Sequence, residues 1–271
     1  MSPSLLSKQE QLEVSNYLEQ NLAGPVAIEV WTRKESGLVL PDRDSCLHCD
    51  DVIAVARQIA TLHPGLSLTL YDLDRHAARG EAAGIERHPT TVFRGRGGRE
   101  FRIVGLWSGL LFPPAVDALV LLSSGATPLS EDTKQILAGI EEDVPLEVMG
   151  APYDAFSAHM LRLAAAFAVE SKRLHATFTQ IAEFPMLAST RGVDEIPVLL
   201  LGSRRYVGTW DGPDLAEQIR LQLAGESTVV ERANPYSGPY YSEEELNRLA
   251  MEHAAHTEDL PQTESGLYLP S

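Results

Sequence analysis

The sequence holds only two cysteines in 271 residues. That scarcity excludes a disulfide-stapled secreted scaffold, which would scatter more of them along the chain. Long apolar runs are also missing. A membrane-spanning helix needs roughly 20 apolar residues, and runs such as Ala118 to Leu122 fall far short. Basic residues are in deficit, with 22 Lys+Arg against 38 Asp+Glu and a formal net charge of −16. A chain this acidic repels phosphate backbones and anionic lipid surfaces, so neither nucleic acid nor membrane is expected as a partner. The N-terminus, MSPSLLSKQEQLEVSN, has no basic head followed by an apolar stretch. It reads as a soluble amphipathic helix, not a secretory signal, and the expected compartment is the cytoplasm.

What is present is ample core material. Hydrophobic residues make up 44% of the chain, enough for one large core or two small ones. At roughly 100–200 residues per domain, one or two domains are expected. The two cysteines stand together as Cys46-Leu47-His48-Cys49. In a reducing compartment a lone pair at this spacing is more often catalytic or metal-binding than structural.

The chain repeats itself in order. Val26-Ala-Ile-Glu-Val30 is matched by Val144-Pro-Leu-Glu-Val148. Gly84-Ile-Glu-Arg-His-Pro89 is matched by Gly192-Val-Asp-Glu-Ile-Pro197, and Val104-Gly-Leu-Trp-Ser-Gly109 by Val207-Gly-Thr-Trp-Asp-Gly212. Fixed-order recurrence of this kind marks a duplicated structural unit. Cys46 precedes Pro89 by 43 residues, and the residue 43 before Pro197 is Asp154. The second copy therefore reads Asp154-Ala155-Phe156-Ser157 where the first carries the cysteine pair, and it has neither thiol.

Periodicity turns one copy into elements. Val26 to Trp31 is β-branched and aromatic, hence a strand. A polar loop through Pro41-Asp42-Arg43-Asp44 follows, and Cys46 is expected to open a helix in which Val52, Val55, Ala56, Ile59 and Leu62 recur at helical spacing. Pro64-Gly65 ends it. A strand over 66–73, a short helix over 77–83, strands over 90–93 and 101–104 around a turn at 94–98, and a helix over 115–122 complete the copy. The second copy predicts a strand over 144–149, a helix over 155–169, a strand over 175–181, a short helix over 186–190, strands over 197–201 and 205–209, and a helix over 213–223. A helix near 132–140 joins them. This order implies an α/β fold of two tandem units, each a central mixed four-stranded sheet flanked by helices. The expected divisions are 1–125, 126–225 and a C-terminal extension over 226–271. In that extension Ser242-Glu-Glu-Glu245 is a capping-box start for one short helix to about His253. The rest is expected to be an extended or disordered tail whose acidic residues form a solvated face.

These features together resemble the thioredoxin superfamily, and more closely the protein disulfide oxidoreductases built from two tandem glutaredoxin-like units. The resemblance covers about residues 22–224. It rests on the element order, the Cys-x-x-Cys at a helix start, and a proline some forty residues later. In that family the proline is cis and faces the cysteines, a position that Pro89 and Pro197 match. The Val-Gly-x-Trp segments fall where the family carries a glycine on its last strand. The family normally keeps a cysteine pair in each half, whereas here only the first half keeps it. A second departure is an insertion of about ten residues: Glu29 lies 17 residues before Cys46, while Glu147 lies 7 before Asp154.

The resemblance implies disulfide exchange. Cys46, at a helix N-terminus where exposed N–H groups favour a thiolate, is the expected nucleophile. Cys49, one turn on, is the expected resolving thiol. A partly protonated His48 between them would stabilise the thiolate further. Pro89, if cis, would offer the backbone of His88 as a short docking edge for a substrate chain, and the His88 side chain is a candidate for contact with substrate or thiolate. Glu29 is a candidate proton shuttle, set against a structural partner because a one-residue step moves a strand side chain to the other face. Trp107 and Trp210 read as packing residues. Asp154 is a natural N-cap and, with Ser157 and Pro197, marks a degenerate second site whose unit has become structural or a docking surface. Zinc wants four ligands, and no second cysteine pair or paired-histidine motif exists, so no metal is expected. No bound organic cofactor is expected either. Electrons would pass to and from protein dithiols and disulfides or low-molecular-weight thiols. The competing reading is a non-enzymatic, chaperone-like thioredoxin-type binding module whose cysteine pair senses redox state.

Overall fold

The structure is a computed structural model that describes residues 6–33 and 46–258, with side chains described through His253. The polar loop at Pro41 to Asp44 lies outside the described residues.

Ser7 opens helix α1 (Lys8–Asn21) with a capping box, its hydroxyl accepting from Glu10 N–H while the Glu10 carboxylate accepts from Ser7 N–H. Strand β1 (Val26–Thr32) buries Val26, Ile28 and Val30 on one face. Helix α2 (Cys49–Thr61) covers that face with Val52, Val55, Ala56 and Ile59, all buried. Strand β2 (Leu66–Asp72), the short helix α3 (Ala77–Ala82), the hairpin β3 (Thr90–Arg94) and β4 (Glu100–Val104), and helix α4 (Phe112–Ser124) complete the first half. The sequence expectation that Cys46 opens the helix is corrected by three residues. Residues 46–48 form a turn, His48 is the N-cap, and its carbonyl accepts the Val52 N–H at 3.0 Å, so Cys49 is the first helical residue. The turn holds the cysteines close enough to bridge, with Cα atoms 5.4 Å apart.

Helix α5 (Glu131–Ala138) leads into the second half, which repeats the order: β5 (Val144–Gly150), α6 (Ala155–Glu170), β6 (Leu174–Gln180), α7 (Pro185–Arg191), β8 (Val198–Leu201), β9 (Arg204–Val207) and α8 (Gly212–Leu223). A two-residue strand, β7 (Glu195–Ile196), precedes β8. Each half is the mixed four-stranded, helix-flanked sheet that the sequence implies. The sequence does not reveal that the halves share one sheet. The order is β2-β1-β3-β4-β6-β5-β8-β9, and the seam is a parallel pairing of β4 with β6 from Arg102↔Thr177 to Val104↔Thr179. One apolar cluster runs under both halves and includes Phe93, Phe101, Trp107, Phe167, Phe178 and Trp210. Trp107 is fully buried, stacks on Phe112, and donates from Nε1–H to Thr91 Oγ1 at 3.2 Å. Trp210 is buried beneath the Arg232 guanidinium, 4.2 Å from its ring centroid. Both tryptophans are packing residues.

The halves also match in backbone detail. The His88–Pro89 and Ile196–Pro197 bonds are both cis. Each proline carbonyl accepts an N–H at 2.8 Å from a glycine after the last strand, Gly105 in the first half and Gly208 in the second. These glycines sit at φ +93° and +88°, the left-handed side of φ space where a Cβ is disfavoured.

The C-terminal extension, expected to be extended or disordered apart from one short helix, pairs with the second half: strand β10 (Gly238–Pro239) runs antiparallel to β7. Helix α9 (Glu243–Glu258) begins at the expected cap, where Ser242 and Glu245 exchange hydrogen bonds, and runs beyond His253. Residues 259–271 lie outside the described residues.

Candidate functional site

Cys46 and Cys49 are joined by a disulfide on the turn ahead of α2. Both are nearly buried, whereas Leu47 between them is 75% exposed. Cys46 lines a cleft of about 870 Å³, and Cys49 is absent from that lining. His88 and Pro89 line the same cleft, so the cysteine turn and the cis-proline bend share one lining although 43 residues separate Cys46 from Pro89. Arg33, Ile85 and Arg87 extend the wall from the first half. Glu183 to Leu187 of the second half also line it, where Met186 is 79% exposed. The cleft lining therefore includes an exposed apolar side chain from each half, Leu47 and Met186, together with Cys46.

His48 points into a carboxylate cage. Its Nε2 lies 2.8 Å from Glu243 Oε2 on α9, and its Nδ1 lies 3.1 Å from Asp51 Oδ2. The hydrogen bond to Glu243 outweighs the cost of burial and holds the imidazole protonated, with its pKa raised to about 9. From the sequence Glu243 reads only as part of the capping-box start of a helix; pairing of the extension with β7 accompanies its placement beside His48.

Glu183 completes the cage from the second half. It lies in the 3₁₀ turn 181–183 after β6. Its Oε1 accepts the Leu106 N–H at 2.5 Å and Gln180 Nε2–H at 3.1 Å. Gln180 Nε2 also donates to Glu243 Oε1 at 3.2 Å. Burial is the main cause that lifts the Glu183 carboxyl to about 7, opposed by the Leu106 N–H and by the charge of His48. A carboxyl poised there exchanges protons readily at neutral pH. One sequence signal bore on it: Gly105 carries no Cβ, and a Cβ there would come within 3.1 Å of the Glu183 carboxyl. The side-chain atoms of His48, Glu183 and Glu243 lie within 4.8 Å of one another, an arrangement of the kind that holds cations. His48 is also ion-paired with Glu243 and with Asp51.

The remaining candidates fall elsewhere. Glu29 is ion-paired with Arg94 at 3.2 Å, and Arg94 in turn bonds Glu100, which also holds Arg102. Glu29 does not line the cleft; strand alternation puts it on the face opposite Ile28 and Val30, in a structural charge ladder. In the second half Asp154 caps α6, accepting from Ser157 N–H at 2.6 Å, and Ser157 Oγ also bonds Asp154 and Ala151 N–H. Pro197 follows β7, against which β10 lies.

No family model and no curated protein matches the sequence. Solved structures do match. A protein disulfide oxidoreductase from Aeropyrum pernix K1 superposes with a TM-score of 0.73 at 23% identity, covering 83% of this chain and 97% of that one. The N-terminal N/C domain of the alkylhydroperoxide reductase AhpF from Enterococcus faecalis gives 0.69 at 16% identity, with 79% and 99% covered. Sso1120 from Sulfolobus solfataricus gives 0.52 at 10% identity, covering 72% and 96%. The fold is thus of the thioredoxin type. The architecture of two joined halves is shared with these structures almost over their whole length.

Proposed function

We propose that the protein is a thiol–disulfide oxidoreductase whose single working centre is the Cys46–Cys49 pair of the first of two thioredoxin-like units, residues 1–125 and 126–225. The observation that carries this reading is that Cys46 of the Cys46–Cys49 disulfide and the cis-proline bend at His88–Pro89 line the same cleft. The reduced Cys46 thiolate attacks one sulfur of a substrate disulfide and expels the other as a thiolate. Cys49 then attacks Cys46 Sγ and releases the second substrate thiolate. The protein dithiol becomes a disulfide, the substrate disulfide becomes a dithiol, and the two protons of the cysteines pass to the leaving thiolates. Glu183 handles a proton in the cleft, a role the sequence offered to Glu29. His48, cationic beside the pair, favours the thiolate. The substrates are protein dithiols and disulfides or low-molecular-weight thiols, which also return the electrons. No helix among the described residues is long and apolar enough to cross a membrane, and a chain with one cysteine pair fits work in the reducing cytoplasm.

The test is the reduction potential of the pair. The protein is equilibrated in glutathione buffers, quenched and alkylated, and its modified thiols are counted by mass. A value between roughly −270 and −120 mV is expected for an exchange catalyst. A value below roughly −300 mV marks a structural disulfide and ends the proposal.

A further inference from the structure

The cysteine-free centre of the second half is already occupied. We propose that residues 235–241 are a tethered strand seated in the peptide groove of that half, so that the chain itself holds the place where a partner strand would add. This inference rests on the correspondence between the halves and not on the redox reading.

The contacts are those of strand addition, in which main-chain pairing supplies affinity and local side-chain fit supplies specificity. Gly238 pairs with Ile196 and Pro239 with Glu195, immediately before the cis bond to Pro197. Tyr240 N–H donates to Asp194 carbonyl at 3.0 Å. On the other side of the groove Thr209 N–H donates to Tyr236 carbonyl at 2.9 Å. Side chains of the former site hold the strand. Phe156, at the position that corresponds to His48, stacks on Tyr236 with ring centroids 5.4 Å apart. Tyr153 hydroxyl donates to Tyr241 carbonyl at 3.0 Å and accepts Tyr241 N–H at 2.7 Å. Gly238 presents its pro-side-chain direction to the degenerate centre: a Cβ built on it would lie 3.7 Å from Asp154 Oδ1, at the position corresponding to Cys46.

The groove thus fits an extended peptide with a small residue facing position 154, and its occupant is the chain's own C-terminal strand. The second unit becomes an anchor for α9 and not a docking surface for other proteins.

Cross-linking tests this. In the full chain carrying Cys46→Ser and Cys49→Ser, the pair Asp154→Cys and Gly238→Cys is introduced and the protein is incubated with oxidised glutathione. The expected product is an intramolecular disulfide, read as loss of two hydrogens by mass. The pair Asp154→Cys and Ser237→Cys, whose second side chain faces Glu195 instead, is expected to end glutathionylated. Glutathionylation of both cysteines in the Gly238 variant overturns the proposal. Hydrogen exchange on the unmodified protein gives an answer that does not depend on the variants folding. Slowed exchange at the Tyr236, Gly238 and Tyr240 amides, comparable with β9, supports it, and exchange at free-chain rates overturns it.

Discussion

In the first half, the backbone N–H of Leu106 donates to the carboxylate of Glu183. In the second, the N–H of Thr209, at the same step after its strand glycine, donates to the main-chain carbonyl of Tyr236. The two halves keep the same cis-proline bend and the same glycine-to-proline hydrogen bond. They differ in what stands in front of that frame. One has an open cleft lined by a partly buried acid and a disulfide cysteine, with a histidine held by carboxylates beside it. The other faces a capped helix and a strand of its own chain. The frame is therefore a matter of backbone geometry and is present in the half that has no thiols. The side chains around it are brought by other elements, and two of those beside the first, Glu183 and Glu243, come from outside the first half.

The largest effect expected from breaking this asymmetry is in the first half. Cys46→Ser should abolish exchange with a model disulfide, a loss of at least about 1000-fold, because the attacking thiolate is gone. A binding module with a mere sensor pair would still capture its partner, so co-purification of an unchanged partner set with no change in exchange would decide for that reading. The reciprocal experiment sharpens the comparison. Asp154→Cys with Ser157→Cys restores both thiols to the second half, yet activity there should stay below about a tenth of that of the first half, because the strand at Gly238 covers the position.

A smaller effect is expected at Glu183. Glu183→Gln should slow exchange about 10- to 100-fold near pH 7, in the lower range for losing a general acid–base group. The rate against pH should also lose its inflection near 7. The carboxyl is faced by His48, Glu243 and Asp51, so a retained inflection would assign that titration to one of them and remove Glu183 from proton handling.

Glu243→Gln removes the first cause of the raised His48 pKa. The imidazole should then titrate clearly below about 9, as followed by proton NMR of its ring signals. An unmoved titration would detach α9 from the first site.

The least effect is on stability. Both Glu183 and His48 bind protons more tightly in the folded protein, with pKa values raised to about 7 and about 9. For each, the contribution is full below the ordinary pKa and is lost as pH rises through the raised one. Tm should therefore decline from pH 5 to pH 9, and Glu183→Gln should flatten the part below about 7. A Tm that rises over this range in the unmodified protein would contradict the assignment.

Much of the frame was legible in the residues. Strand and helix periodicity located the elements of both halves, because burial on one face repeats every two residues in a strand and every three to four in a helix. The recurring Gly-x-x-x-x-Pro and Val-Gly-x-Trp strings marked the bends that need special backbone geometry. Asp154 was readable as a cap because short polar side chains satisfy helix N-termini. The start of α2 was misplaced by one turn, since nothing in Cys-Leu-His-Cys says which residue first turns helical. Glu183 and Glu243 were not legible as site residues. Their roles depend on the β4–β6 seam and on the pairing of Gly238 with Ile196, long-range contacts that leave no periodic trace in the local sequence. Glu29 was weighed as a proton shuttle against a structural partner on the strand-face argument, and the partner it has in the structure is Arg94 on the neighbouring strand.

The seam has a mechanical consequence. Two thioredoxin-like lobes joined by a flexible linker would flex against each other, and an acid carried by one would visit the sulfur of the other only part of the time. Here Arg102 to Val104 are stitched to Thr177 to Thr179 of β6, the strand that ends at Gln180, three residues before Glu183. Hinge motion between the lobes would have to tear that ladder and split the shared apolar cluster. The distance between acid and disulfide is thus set by a sheet, the stiffest ruler a small protein has, and the two lobes should melt in a single cooperative transition.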